Sequence, residues 1–270
     1  MFWKKEKEEK ATKTTHTIEG YSLTDTGCVR DHNEDAVTYQ VVKKNNIVYS
    51  ILADGMGGHN GGEIASNMMI KLLDSQYRNK TVTSEKEIKQ SIQEGNKEVY
   101  RQSRNNLEWK GMGTTCVVLS IQNGCASWGH VGDSRLYVLE NNVMTQLTTD
   151  HTVVEEMKAE GLKAPEHQSH VLTQAIGTKD NVNPETGQKV LHNDSSYRFL
   201  MCSDGLYDML SDYEIKSLLE ITDGYIAASA LIAMAKEKGG LDNVSVSIID
   251  IKPLQKTEAE ASTKEMKLPA

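Results

Sequence analysis

Thr114-Thr115-Cys116-Val117-Val118-Leu119-Ser120-Ile121, Gly124-Cys125-Ala126-Ser127-Trp128-Gly129-His130-Val131, Arg135-Leu136-Tyr137-Val138-Leu139 and Val143-Met144-Thr145-Gln146-Leu147 follow one another with almost nothing between them. Each run is short and rich in β-branched or apolar residues, which is the mark of a strand. Gln122-Asn123-Gly124 and Glu140-Asn141-Asn142 join them with the residues that tight hairpins demand. Strands in direct succession build antiparallel sheet, whereas parallel sheet needs a helical crossover between each pair.

Upstream, Ile47-Val48-Tyr49-Ser50-Ile51-Leu52-Ala53 reads as a strand that stops at the turn Asp54-Gly55. Ile64, Met68, Met69, Leu72 and Leu73 then recur at helical spacing. A second helix starts near Ser84, with Glu87 at the capping-box position and Ile88, Ile92 and Val99 on one face. Downstream, residues 160 to 195 read as irregular, followed by a strand at Tyr197 to Cys202 and helices at Asp212 to Glu220 and Tyr225 to Lys236. Val244, Val246 and Ile248 alternate in a last strand. The expected class is α+β: a four-layer αββα sandwich of two antiparallel sheets flanked by helices, although a simpler α+β layer fits the same pattern. Residues 1 to 16 and 253 to 270 are polar and aperiodic and read as tails, leaving 17 to 252 as a single domain.

The chain has 270 residues, 30 basic against 38 acidic, a formal charge of −8. That balance argues against a nucleic-acid protein, whose binding face is rich in Lys and Arg. Cys28, Cys116, Cys125 and Cys202 are scattered, with no C-x-x-C pair, so neither a zinc knuckle nor a disulfide framework is expected. Met1 to Lys10 is charged and lacks the apolar centre of a signal peptide, and no run reaches the roughly 18 apolar residues of a membrane span. A cytoplasmic protein, without membrane insertion and monomeric, is the expectation.

Four segments place an aspartate at the end of an apolar run: Arg30-Asp31-His32-Asn33-Glu34-Asp35, Asp54-Gly55-Met56-Gly57-Gly58-His59, Cys202-Ser203-Asp204-Gly205 and Asp242-Asn243-Val244. In a sandwich, strand ends from distant parts of the chain meet at a common rim. Carboxylates gathered there repel one another unless cations sit between them, and hard oxygen ligands select Mg²⁺ or Mn²⁺. Taken singly, an Asp-Gly pair is more often a turn than a ligand. Gly57 to Gly62 contains neither a P-loop nor a strict G-x-G-x-x-G, so nucleotide binding has little support.

In order, the motifs resemble the metal-dependent protein phosphatase 2C family, in its bacterial branch. The resemblance runs over residues 20 to 251, through Asp25-Thr26-Gly27, Arg30 to Asp35, Ala53 to His59 and Gly111-Met112-Gly113-Thr114-Thr115. It continues through Gly129-His130-Val131-Gly132-Asp133-Ser134-Arg135, Leu147 to His151, Leu172 to Gly177, Ser203 to Leu206 and Asp242 to Ser245. It implies hydrolysis of phosphoserine and phosphothreonine on proteins phosphorylated by a serine/threonine kinase. Two or three Mn²⁺ or Mg²⁺ ions would be held, and a hydroxide bridging two of them would attack phosphorus directly. By the same resemblance Asp54 bridges the central pair and the Gly55 carbonyl joins it. Asp204 and Asp242 ligate one metal of that pair, and Asp133 with Asp204 holds a third, looser ion. Glu34 and Asp35 act through bound waters, and Arg30 grips the phosphate. A surface ion pair of Arg30 with Asp31 or Glu34 is the plain alternative.

The four cysteines lack the C-x₅-R loop of a thiol phosphatase, so no covalent route is expected. Many eukaryotic members carry His where Met56 stands; His59 is the nearest titratable candidate for leaving-group contact, and Met56 reads as a packing residue. Residues 151 to 170 correspond to the family's variable flap, expected to be solvated and to shape substrate choice. Two competing readings are a phosphatase dedicated to one regulatory phosphoprotein, separable by activity on generic phosphopeptides, and a non-catalytic pseudophosphatase. The intact set Arg30, Asp54, Asp204 and Asp242 speaks against the latter.

Overall fold

Strand β3 (Ile47–Ala53) is buried at every position, and its alternating side chains feed two different cores. Ile47, Tyr49 and Ile51 face helices α1 (Gly61–Tyr77) and α2 (Glu85–Asn105), while Val48 and Leu52 face a second sheet. The computed structural model describes residues 16–57, 61–80, 83–162 and 171–254. One sheet runs in the order β10 (Glu185–Val190), β7 (Cys125–Val131), β6 (Cys116–Gln122), β3 and β2 (Ala36–Val42). The other runs β1 (His16–Asp25), β12 (Val244–Pro253), β11 (Tyr197–Cys202), β8 (Arg135–Glu140) and β9 (Val143–Gln146). All pairings within both sheets are antiparallel, as is that of the two short strands β4 (Gly55–Met56) and β5 (Gly113–Thr114). The middle core holds Leu119, Trp128, Phe199 and Ile249 between the sheets. A third core sets Leu200, Val246 and Ile248 against α4 (Asp204–Tyr207), α5 (Asp212–Leu219) and α6 (Gly224–Glu237). The layers are therefore αββα, as the strand succession implied.

The hairpins form where expected. Gln122 pairs with Cys125 and Glu140 with Val143, leaving two-residue turns. Asn123, Gly124, Asn141 and Asn142 all take positive φ, the conformation that matches a turn to strand twist. Helix α2 begins at Ser84 with the full capping box: its hydroxyl accepts from Glu87 N–H, and the Glu87 carboxylate accepts from Ser84 N–H.

Three features depart from the sequence reading. The stretch 160 to 195, read as irregular, contains β10, an edge strand whose polar residues carry no alternation. The flap region includes a short helix, α3 (Val153–Ala159), capped by Thr152 and tethered by Val153 N–H to the Val171 carbonyl. Its residues 163–170 lie outside the described residues, as do 1–15 and 255–270 of the tails. Finally, β1 and β2 form although their residues gave no strand signal; His16, read with the tail, opens β1.

Candidate active site

Five strand ends meet at one rim. Asp54 follows β3, Asp133 lies just past β7 and Asp204 just past β11, while Asp35 precedes β2 and Asp242 stands ahead of β12. Antiparallel registers force the convergence, because Ala53 faces Ala36 and Cys202 lies between Arg135 and Val246. There Asp54, Gly55, Asp133, Asp204 and Asp242, with Arg30 and Glu34, line one basin of about 470 Å³. Asp35 is buried and does not line it.

Asp54 is held by its backbone. Asp54 N–H donates to the Thr115 hydroxyl at 2.9 Å, and the Asp54 carbonyl accepts from Thr115 N–H and the Thr114 hydroxyl, each at 2.8 Å. Two glycines permit the close approach of chain segments. A Cβ on Gly55 would lie 2.3 Å from the Gly62 carbonyl oxygen and 2.4 Å from that of Glu34. One on Gly205 would lie 2.0 Å from the Asn243 carbonyl oxygen. Gly205 therefore lets the turn carrying Asp204 close on the loop carrying Asp242. Asn243 ties that loop to the arginine segment: its Oδ1 accepts from Glu34 N–H at 2.8 Å, and its Nδ2 donates to the Thr26 and His32 carbonyls.

Burial and crowding set the charge state. Burial, and then the charges of Asp35, Asp204, Asp133 and Asp242, push Asp54 well above the ordinary carboxylate range. Asp35 is pushed up to about 7, chiefly by burial, against the opposing hydrogen bonds from Ser203 and Ser245. Burial also raises Glu34, more than nearby Arg30 lowers it. Anions packed this densely need cations among them, and every donor offered is a hard oxygen.

The arginine finds a partner other than the two foreseen. Arg30 Nη2 lies 2.6 Å from Asp242 Oδ2 rather than pairing with Asp31 or Glu34, and both side chains are partly open to solvent. Met56 packs beside Gly113 and lines the basin, and His59 lies outside the described residues. Residues to which the sequence assigned no role also shape the site. Ser203 holds Asp35, Asn243 and Thr115 fix backbone, and Leu172 and Asp208 line the wall. All but Asp208 stand inside or beside the quoted motifs, which was their only signal.

A second group of donors, His130, His151 and Glu185, lies within 4.8 Å and does not line the basin. The two rings stack with centroids 4.6 Å apart, and His151 Nδ1 accepts from Gly132 N–H, which leaves the proton on Nε2. With Nδ1 taken by Gly132 N–H and Nε2 protonated, His151 keeps no lone pair for a cation, so the stacked rings read as a packing pair.

A family model described as protein phosphatase 2C matches residues 28–237. The chain belongs to the protein phosphatase 2C family. Arg30, Asp54, Asp133 and Asp204 fall inside the matched span, and Asp242 lies past its end. A relative named protein phosphatase PhpP, from Streptococcus pneumoniae, is 33% identical over 240 residues, covering 85% of this chain and 96% of its own. The serine/threonine phosphatase Stp1 of Staphylococcus aureus superposes with a TM-score of 0.80 at 32% identity, over 92% of this chain and 100% of that one. The catalytic domain of serine threonine protein phosphatase PstP, solved in complex with two manganese ions, gives 0.79 at 31% identity, over 88% and 100%. Among the described residues no helix is long and apolar enough to cross a membrane.

Proposed function

We propose that this protein hydrolyses phosphoserine and phosphothreonine on other proteins, with Asp54, the Gly55 carbonyl, Asp204 and Asp242 holding two Mn²⁺ or Mg²⁺ ions and Asp133 with Asp204 holding a third. The observation that carries this reading is the meeting of those four carboxylates in one basin with Arg30 at its edge. Relatives named as serine/threonine phosphatases, one of them solved with two manganese ions, support it. When bound, such cations lower the pKa of water and neutralise charge on the phosphoryl group.

The chain's own groups do the rest. Arg30 presents a planar fork to the phosphate oxygens and exchanges its contact with Asp242 for them. Asp35 and Glu34 orient what lies above them, Asp35 fixed by the Ser203 hydroxyl at 2.7 Å. His59 is proposed for leaving-group contact. Residues 17 to 252 act as the catalytic unit, and the segment 151 to 170 selects among substrates. The proposed setting is the cytoplasm, where a serine/threonine kinase supplies the substrates, and the protein acts as a monomer.

The test is a Mn²⁺ titration of aryl phosphate hydrolysis by the parent, Asp204→Asn and Asp242→Asn. Turnover is expected to vanish with chelator and to fall by orders of magnitude in both variants. Full activity in either variant would reject the ligand assignment.

A further inference from the structure

Asp133 and Asp204 come from different layers of the chain, one from the β7–β8 connection and one from the turn after β11, and their separation must be set by something other than sequence. Tyr207 spans the gap. It sits three residues after Asp204 on α4, and its phenol donates to the Asp133 carbonyl at 3.1 Å. The ring beneath that phenol is clamped: the Arg135 guanidinium lies 3.6 Å from its centroid. Arg135 in turn is fixed by a forked pair to Asp150, with Nη2 to Oδ2 at 2.7 Å and Nε to Oδ1 at 3.1 Å, and by Nη1 to Tyr137 Oη at 3.1 Å. Asp150 is buried and takes a further bond from Gln146 Nε2.

We infer that Tyr207, held flat by the Arg135–Asp150 pair, is a positioning residue that fixes the distance between Asp133 and Asp204 and so sets the affinity for the third cation. The inference rests on the metal-dependent phosphatase reading. The Arg135–Asp150 pair is only partly buried, and its part here is to hold the guanidinium in one place against the ring. Here the geometry it fixes is that of an aromatic plane, on which a planar guanidinium stacks flat whereas a compact ammonium does not. Tyr207 touches backbone, not phosphate, and acts only through Asp133.

Calorimetric Mn²⁺ titration of the full chain tests this on five proteins: the parent, Tyr207→Phe, Asp133→Asn, the double variant of those two, and Arg135→Lys. Phenylalanine keeps the ring under Arg135 and removes only the hydrogen bond. Tyr207→Phe should leave the tight binding phase unchanged and weaken the looser phase about tenfold, the lower end of what orienting groups contribute to metal affinity. In the Asp133→Asn background, where the loose phase is already lost, Tyr207→Phe should change nothing. Arg135→Lys should shift the same phase in the same direction. An isotherm for Tyr207→Phe that overlays the parent's overturns the inference, as does equal weakening of both phases in the otherwise unaltered chain or a weaker tight phase when Tyr207→Phe is added to Asp133→Asn. A parent that binds no Mn²⁺ at all removes the phosphatase reading and this inference with it, whereas a parent that binds normally beside an unaltered Tyr207→Phe removes the inference alone.

Discussion

Arg30 and Asp242 form an ion pair of 2.6 Å across the basin mouth, although 212 residues separate them in the chain. The Arg30 side chain is half exposed, and exposed pairs contribute about 0–1 kcal/mol, so little opposes the transfer of this guanidinium from Asp242 to a phosphate. Bonds from a guanidinium to a phosphate dianion are stronger. Arg30→Ala should therefore leave the melting temperature within about a degree and lower kcat/KM roughly 10- to 100-fold, as loss of a charge-assisted contact implies. Steady-state kinetics on a phosphopeptide check this, and an unchanged kcat/KM would remove Arg30 from the site.

Asp35 links pH to stability in the metal-free chain. Its pKa rises from 3.8 to about 7 on folding, because burial outweighs the Ser203 hydrogen bond. Below 3.8 both folded and unfolded forms hold the proton and the stabilisation is complete; as pH climbs through about 7 the unfolded chain has released it and the benefit is lost. Asp54 shifts in the same direction and adds to the slope. In chelator, the melting temperature of the parent should fall relative to Asp35→Asn between those two pH values, by several degrees. Mn²⁺ should restore the parent most strongly at the upper end. A parent and variant with parallel profiles in chelator would contradict the assignment.

Gly205 fixes the approach of the Asp204 turn to the Asp242 loop. With the Asn243 carbonyl oxygen 2.0 Å from where a Cβ would stand, one segment must move. Overpacking of this kind costs about 1–3 kcal/mol, and here the displacement falls on two proposed ligands at once. Gly205→Ala should lower the melting temperature by several degrees and reduce Mn²⁺-dependent turnover at least tenfold, measured by differential scanning calorimetry and aryl phosphate hydrolysis. Normal turnover at saturating Mn²⁺ would show that the two loops need not touch.

The sequence made β3 and the Asn-containing hairpins legible because local chemistry alone dictates them: a seven-residue apolar run, and turns requiring positive φ at Asn123, Asn141 and Asn142. The strand-end aspartates were legible for a related reason, since an antiparallel sandwich brings alternate strand ends to one rim. Edge strands were not. β10 reads Glu185-Thr186-Gly187-Gln188-Lys189-Val190, half solvated and without period, and only its pairing with β7 makes it a strand. Long-range polar contacts were equally hidden. Ser245 and Ser247 alternate with Val244, Val246 and Ile248 as solvent-facing residues would, yet both are buried, and Ser247 shares a 2.8 Å hydrogen bond with Ser50 of the opposite sheet. The grip of Ser203 on Asp35 spans 168 residues, and no local pattern encodes it.

Arg198 offers a contrast, because its role is confined to the far side of the sheet. Its guanidinium is buried and pairs with Asp250 through Nε–Oδ1 at 2.5 Å and Nη2–Oδ2 at 2.7 Å. The remaining donors reach the carbonyls of Leu219, Ile221 and Thr222, so the end of α5 is stitched to β11 and β12. Removing one partner leaves the other charge buried and unpaired, at a cost of about 3–5 kcal/mol. Arg198→Met should therefore lower the denaturant midpoint strongly, while kcat on aryl phosphate, measured well below the transition, stays within about twofold, since the two residues lie outside the basin. The double replacement Arg198→Met with Asp250→Leu should recover much of the stability, because no buried charge is left behind. A double variant as unstable as the single would mean that the carbonyl contacts, and not the ion pair, hold this corner together.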